Sequence, residues 1–456
     1  MYRKQDLQYL QDIFARESND IAIVYGMRSV GLSEIILDFV KDKECLYYQA
    51  CPVIDGIQRV FFASELYDQT KSPIFPDENY ENLLTSFIND KSERKKLIVY
   101  DDFQYLIKEN PTFINFLASL LFERVKSGTV MLLLVSDDIK WIENDMIKLT
   151  GRKSYEISGV LKLNGYSAAE FRQCFPDMPL NEVMAIYSFV GPKSRYYNRI
   201  EEGMTCHDFI IEWLKKWAEE DADANLYIPH EIREPMLYNT ILYQIAAGSG
   251  KLNDIHNAVG IDRAKLSVYI KTLIENGLVE KAISAAAGDP KNTLKGVYMI
   301  KDETIRFYYR FVFPHLSSLR LLGADRFYRK YVEAGFTSFV SENYHRFCME
   351  LIRWLNKESR LNFKVARIEE YYDKSKAIDF IVTAAGGSVI ACACQYGPHH
   401  MNYKKYEEVR AAVRKNKLPC DNIWLFSSGG FDQKLSMFGS VTPGVKLIEG
   451  SEQRLR

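Results

Sequence analysis

Residues 21–33 read Ile-Ala-Ile-Val-Tyr-Gly-Met-Arg-Ser-Val-Gly-Leu-Ser, and their types and spacing suit the cradling of phosphates. An apolar run leads into Gly26, Gly31 follows five positions later, and Glu34–Val40 is predicted to be a helix. Strand, glycine-bounded loop and helix in that order make a phosphate-binding loop. The glycines permit a tight path that turns backbone N–H groups toward an anion, and the helix N-terminus adds positive potential. The candidate nucleotide contacts here are Gly26, Arg28, Ser29, Val30, Gly31, Leu32 and Ser33. One letter departs from G-x-x-x-x-G-K-[ST]: Leu32 stands where the pattern has lysine. That lysine carries a point charge to the β- and γ-phosphates, which leucine cannot do. Ser33 keeps the hydroxyl that would hold Mg²⁺, and Arg28 could replace part of the lysine's charge by reaching back over the phosphates.

Two further stretches suit the same chemistry. Leu97-Ile98-Val99-Tyr100 is a buried-strand run that ends in Asp101-Asp102. One carboxylate at a strand end can hold magnesium and its neighbour can orient an attacking water. Asp101 is therefore the candidate metal ligand beside Ser33, and Asp102 the candidate catalytic residue. The competing reading is two aspartates capping a helix that starts at Phe103. Thr129–Ser136 is another apolar strand, and Ser136 at its end is a candidate γ-phosphate sensor.

These residues need a parallel sheet to position them. Residues 1–165 read as an α/β unit with strands at 21–25, 45–49, 97–100, 129–136 and 155–163. Residues 2–17 read as a short amphipathic helix ahead of the first strand, and 79–89 as another helix.

The chain has 456 residues, 47% of them hydrophobic and 26% charged, which allows several globular domains. A net charge of -1 gives no whole-chain attraction to nucleic acid, so any basic face must be local. The eight cysteines form no C-x-x-C pair and read as reduced, buried thiols of a cytoplasmic protein. No stretch of about 18 uncharged apolar residues occurs, which argues against a membrane span.

Beyond the first unit, residues 166–230 read as a helical lid in which Ser167 caps a helix and Trp213 and Trp217 share a face. Residues 231–305 read as a winged helix, with helices at 236–247, 252–259 and from Asp262 to Gly277, then strands at 278–283 and 296–300 around a Gly-Asp-Pro-Lys-Asn turn. Arg263, Lys265 and Lys271 decorate the third helix and could meet DNA phosphates, although such modules also serve as protein contacts. Residues 306–335 form an aromatic-rich connector whose stripe suits core packing better than base stacking. Residues 336–456 read as a separate α/β domain with a strand holding Asp379, a second strand ending at Gln395, and a basic helix over 403–416.

The Met-Arg-Ser-Val-Gly-Leu-Ser loop, Val-Tyr-Asp-Asp-Phe-Gln-Tyr-Leu, the Tyr298–Pro314 run and the final Leu-Phe-Ser-Ser-Gly-Gly-Phe together resemble the prokaryotic AAA-type ATPases of the archaeal-ATPase group. The resemblance covers nearly the whole chain. It implies a P-loop NTPase-like parallel sheet, a helical lid, a winged helix and a C-terminal α/β domain similar to PD-(D/E)-x-K (restriction-endonuclease-like) nucleases. It also implies ATP and Mg²⁺ as ligands. The catalytic letters depart from that family: Leu32 replaces lysine, and Asp101-Asp102 stands for Asp-Glu. In the nuclease-like part the family's Phe-Glu, Glu-Ile-Asp and Glu-Cys-Lys appear as Tyr344-His345, Ala377-Ile378-Asp379 and Ala393-Cys394-Gln395, so only Asp379 of the metal-holding set remains. One aspartate and a glutamine do not assemble an ordinary two-carboxylate magnesium site. His345 with Cys392, Cys394, His399 and His400 matches no usual transition-metal spacing.

The leading reading is a nucleotide-responsive regulator of ATPase ancestry with weak or lost hydrolysis, whose winged helix would convey the bound state to DNA or to a protein partner. The alternatives are a scaffold that binds DNA or protein, or copies of itself, without nucleotide, and an active ATPase that borrows a cation in cis or from a neighbouring subunit.

Overall fold

The computed structural model of this chain describes residues 3–70, 79–88, 94–146, 157–219, 227–228, 234–283, 296–371 and 375–449. The turn at 288–292 and the first residues of the 155–163 strand lie outside them. The chain divides into two compact units, Met1–Gly165 with Lys193–Asn198, and Tyr166–Pro192 with Arg199–Arg456. The short Lys193–Asn198 segment, read as part of the lid, thus folds with the first unit.

The first unit is built on a parallel sheet of strands β1 (Asp20–Tyr25), β2 (Cys45–Gln49), β3 (Lys96–Asp101), β4 (Val130–Ser136) and β5 (Ile157–Lys162). Their order is β2-β3-β4-β1-β5, and every neighbouring pair is parallel. This is an α/β fold built on a parallel five-stranded sheet. The apolar runs 21–25, 97–100 and 130–135 form the central strands because both of their faces are covered. One face packs Ile23, Ile98, Tyr100 and Leu132. The other packs Ala22, Val24, Val99 and Leu133 against α1 (Lys4–Phe14) and α2 (Leu32–Val40). The register sets Gln49 beside Asp101 and Tyr25 beside Ser136, so four polar side chains line the carboxyl edge of the sheet. The helix α3 (Asp55–Thr70), which the sequence did not announce, follows β2.

Arg3 holds the back of this unit. Its Nε and Nη2 donate to the Val30 carbonyl at 3.0 and 2.5 Å, and Nη2 also donates to the Asn164 carbonyl at 2.6 Å. Asp6 receives Nη1 at 2.8 Å. The side chain is only 12% exposed, and its bonds to Val30 and Asp6 are partly shielded from water.

The second unit begins with helices Ala168–Cys174, Leu180–Val190 and Cys206–Glu219. Ser167 and Glu170 form a reciprocal capping box at the first of these. Helices Pro235–Ala246, Leu252–Val259 and Arg263–Glu275 follow, with the antiparallel strands β6 (Val279–Ile283) and β7 (Gly296–Ile300). The 306–335 stretch is helical over much of its length rather than a bare connector. Phe307, Tyr308 and Tyr309 are wholly buried. Phe307 packs edge-on against Phe189 and stacks on Trp217. The Tyr309 hydroxyl donates to Asn239 at 2.6 Å. The aromatic stripe is core, and no ring of this trio faces solvent.

A long helix, Glu333–Lys357, leads to a second sheet of five strands. These are β8 (Val365–Glu370), β9 (Phe380–Ala384), β10 (Val389–Gln395), β11 (Cys420–Ser427) and β12 (Val445–Glu449). Strands β10, β11 and β12 are parallel, and β8 and β9 run antiparallel beside them. Asp379 lies one residue before β9, and β8 is a strand that the sequence reading did not place.

Arg3→Ala is expected to lower stability by about 2 kcal/mol, because it orphans the Val30 and Asn164 carbonyls. Chemical denaturation of the full chain checks this value.

Candidate functional site

The loop between β1 and α2 is short and tightly held. Gly26 donates its N–H to the Ser136 carbonyl at 3.2 Å. A side chain at Gly26 would lie 2.6 Å from the Leu163 carbonyl oxygen, so only glycine fits there. Arg28–Val30 form a single 3₁₀ turn, and Gly31 takes φ +87° before α2 begins. A Cβ on Gly31 would come within 2.7 Å of the Ser194 hydroxyl. A small cleft of about 100 Å³ opens beside it, lined by Arg3, Leu7, Gly31, Glu34, Ile35 and Ser194.

Leu32 does more than lack a charge. It is 3% exposed and belongs to the apolar cluster beneath the loop, with Leu7, Val30, Ile35 and Ile36. The position that carries lysine in a working loop is here a core position. Ser33 is exposed on the next residue of α2, Ser29 is half-buried, and Val30 is buried.

Arg28 is the cation of this site, and its partners are carboxylates. Nη2 donates to Asp102 Oδ2 at 2.7 Å and Nε donates to Asp137 Oδ2 at 2.8 Å. Burial disfavours the charge on Arg28, but Asp102 and Asp137 more than offset this and raise its pKa. The guanidinium thus ties the loop after β1 to the ends of β3 and β4. The sequence had it reaching over phosphates.

Asp102 is 4% exposed and has φ +53°, a left-handed conformation that costs a non-glycine residue about 1 kcal/mol. That turn directs its carboxylate toward the loop. Gln49 Nε2 also donates to Asp102 Oδ2, at 2.9 Å. Gln104 Nε2 donates to Asp102 Oδ1 at 3.3 Å and to Asp137 Oδ1 at 3.2 Å. Gln104 is 2% exposed, and its Oε1 has no hydrogen-bond partner.

Asp101 is occupied differently. Its Oδ2 accepts the Tyr47 hydroxyl at 2.5 Å, and its Oδ1 accepts the Asp102 N–H at 2.9 Å. Burial raises the Asp101 pKa, the Tyr47 bond opposes this, and the neighbouring Asp102 adds to the rise. Ser136 is fully buried, and its hydroxyl accepts the Asp138 N–H at 3.1 Å. The structure therefore brings together Gly26, Arg28 and Asp102, with Asp101 and Ser136 alongside. It adds Gln49, Gln104, Asp137 and Tyr47, which sequence reasoning did not select. Asp137 and Gln104 carried one usable signal, since polar residues directly after a buried strand sit at its carboxyl edge.

In the second unit, Asp379 Oδ2 accepts the Cys394 N–H at 2.7 Å, and burial raises the Asp379 pKa. His345 Nε2 lies 3.3 Å from Glu370 Oε1, which also accepts Arg346 Nε at 3.0 Å. Gln395 donates to the His399 carbonyl at 2.9 Å. Cys392 is wholly buried, and His399 and His400 are exposed. Among the described residues no group of three or more His, Cys, Asp or Glu side chains is placed to hold a metal. Arg263, Lys265 and Lys271 are all exposed on their helix. Arg263 bonds Asn253, Lys265 lies 3.8 Å from Glu234, and Lys271 lies 3.7 Å from Glu275. No helix among the described residues is long and apolar enough to cross a membrane.

Comparison with known proteins bears on the same regions. A family model, DUF234, described as archaeal and bacterial proteins of unknown function, matches residues 308–409. An uncharacterised protein of Methanocaldococcus jannaschii is 25% identical over 384 residues, covering 83% of this chain and 83% of its own. A second protein of that organism, named as an uncharacterised ATP-binding protein, is 23% identical over 323 residues, covering 61% of this chain and 91% of its own. Among solved structures, the Walker-type ATPase PABY2304 of Pyrococcus abyssi aligns at TM-score 0.42 and 13% identity, covering 68% of this chain and 96% of its own. The ORC2 protein of Aeropyrum pernix, in ADPNP and ADP complexes, aligns at TM-score 0.43 and 13% identity, covering 70% and 92%. The chain is thus similar in sequence to archaeal proteins, one of them named for ATP binding.

Restoring the missing lysine at position 32 is expected to harm the fold, since it sets an ammonium into an apolar cluster. Leu32→Lys should lose about 3 kcal/mol of stability, read from the thermal melt of the variant against the unsubstituted chain.

Proposed function

We propose that the first unit binds a magnesium–nucleotide complex, ATP or ADP, at the carboxyl edge of its sheet, and that hydrolysis there is weak or lost. The observation that carries this reading is Arg28, a loop cation held at 2.7 and 2.8 Å by carboxylates from two strand ends. The guanidinium is half exposed above one buried and one partly exposed acid, which leaves its outer edge available to a phosphate. The N-terminus of α2 adds positive potential for an anion, while the Val30 and Gly31 N–H groups donate to the Met27 and Arg28 carbonyls. The relative named for ATP binding supports the same ligand.

Slow turnover follows from chemistry. Leu32 puts no charge on the β- and γ-phosphates, and Asp102 is one methylene shorter than the glutamate that usually orients water. Asp102 is also already engaged by Arg28 and Gln49, so its oxygens are not free to hold an attacking water.

We further propose that residues 235–300 act as a winged helix whose outer face, with Arg263, Ser267 and Lys271, touches a DNA backbone. Arg263 and Lys271 have neighbours within their own unit, so their contribution is to phosphate attraction more than to base reading. The second reading, a scaffold independent of nucleotide, draws on the core role of Leu32. The two readings part on a single titration.

Calorimetric titration of the full chain with ADP and ATP in Mg²⁺ is expected to give micromolar binding. Arg28→Ala should weaken it by about tenfold. Absence of heat at millimolar nucleotide would leave the scaffold reading. For the DNA contact, the triple change Arg263→Ala, Lys265→Ala and Lys271→Ala should flatten the log K against log salt slope by about 2. An unchanged slope would remove this helix from the contact.

A further inference from the structure

A cavity of about 120 Å³ lies within the second unit, between the helices Leu180–Val190 and Glu333–Lys357 and the start of the short helix Glu303–Phe307. At about 30 Å³ per liquid water, that is room for a ligand of roughly five non-hydrogen atoms. Its walls divide by chemistry. Met184, Val340 and Phe347 supply hydrocarbon, and the first two are almost fully buried. Glu303, Asn343 and Glu350 supply oxygen acceptors.

Glu350 is the group that the fold leaves incomplete. Its Oε2 accepts the Ala168 N–H at 2.5 Å. The Tyr187 hydroxyl lies 3.1 Å from that same oxygen and 2.8 Å from the Tyr166 carbonyl, and it has a single proton to give. Oε1 takes no donor from the described residues. Burial raises the Glu350 pKa, while the Ala168 and Tyr187 bonds and the more distant Arg353 oppose the rise. Asn343 is also buried; its Nδ2 donates to the Ser188 carbonyl at 3.3 Å, and its Oδ1 takes no donor from the described residues.

The lining therefore calls for a donor, and charge selects which kind. Glu303 and Glu350 stand against Arg346, so the lining is one positive charge short of neutral. Arg346 directs its Nε to Glu370 and its Nη2 to Glu280. A metal ion matches poorly, since hydrocarbon walls offer it no ligand and among the described residues no three His, Cys, Asp or Glu groups are placed to hold one. A primary ammonium on a short hydrocarbon chain matches both kinds of wall. Its N–H groups meet Glu350 Oε1, and its chain covers Met184, Val340 and Phe347.

We propose that this cavity binds a small primary amine in its ammonium form, with Glu350 as the counter-ion. The site lies in the second unit and is independent of the nucleotide reading of the first.

The probe is n-butylammonium chloride, titrated calorimetrically into the full chain against sodium chloride of equal ionic strength. Saturable binding of about millimolar affinity is expected of so few atoms. No saturable heat at about 0.1 M would overturn the site. n-Butanol has the same shape without the charge, and the unsubstituted chain should bind it at least about tenfold more weakly. Equal affinities would overturn the counter-ion. Glu350→Gln keeps an acceptor for the Ala168 N–H and removes the charge, so it should weaken n-butylammonium about tenfold. Unchanged affinity in this variant would overturn the assignment to Glu350. Should Glu350→Gln fail to fold, Met184→Phe narrows the cavity from the facing helix and should weaken the same binding. Unchanged affinity there would overturn the location.

Discussion

The site in the first unit depends on one constraint: a buried carboxylate must keep a cation. Asp102 is buried at the end of β3, where water cannot carry its charge. The Arg28 guanidinium meets it at 2.7 Å, and much of the surrounding geometry serves that meeting. Parallel pairing of β3, β4 and β1 brings three strand ends to one edge. The left-handed turn at Asp102 aims its carboxylate at the loop. Glycine at position 26 lets the loop leave β1 against the Leu163 backbone without a clash. A loop held at one end by an ion pair and at the other by Arg3 has little freedom to collapse.

The change from lysine to leucine at position 32 reads differently once its burial is known. A surface substitution would leave an otherwise ordinary phosphate loop with one charge missing. At a core position Leu32 anchors α2 to α1 and the sheet, and the loop carries its cation instead at Arg28, two positions after Gly26. A guanidinium at that place differs from the lost ammonium in kind. It is planar, offers several donors, and can hold two carboxylates at once, which a lysine cannot match.

The central strands were legible because burial on both faces leaves an uninterrupted apolar run, as in Ile98-Val99-Tyr100 and Met131–Val135. The glycine spacing and the Asp101-Asp102 pair were legible for the same reason: they punctuate those runs. The division of labour between the two aspartates was not. It depends on Tyr47, which reaches Asp101 only through the β2–β3 pairing, and on the Asp102 backbone turn. The partners of Arg28 lie 74 and 109 residues away in sequence, and only the sheet order brings them close. Helix α3 escaped notice because its outward face carries Ile57, Val60 and Phe61, which blurs the apolar period that marks a surface helix. Strand β8 escaped because most of its residues are partly exposed and carry charge. The aromatic run at 307–313 gave its composition away but not its partners, Phe189 and Trp217, which come from distant helices.

The second sheet offers a contrast that bears on what the first can do. Asp379 is also a carboxylate at a strand end, and burial raises its pKa as it does for Asp101. Its bond, however, comes from the Cys394 N–H within β10, a backbone donor fixed by the pairing of β10 with β9 and β11. Such a donor cannot step aside for a metal without breaking the sheet. Arg28 sits on a half-exposed loop, and its bond to Asp102 is made by a side chain rather than by sheet backbone. The two carboxylates thus differ in what holds them: a backbone N–H fixed in the sheet for Asp379, and a loop side chain for Asp102.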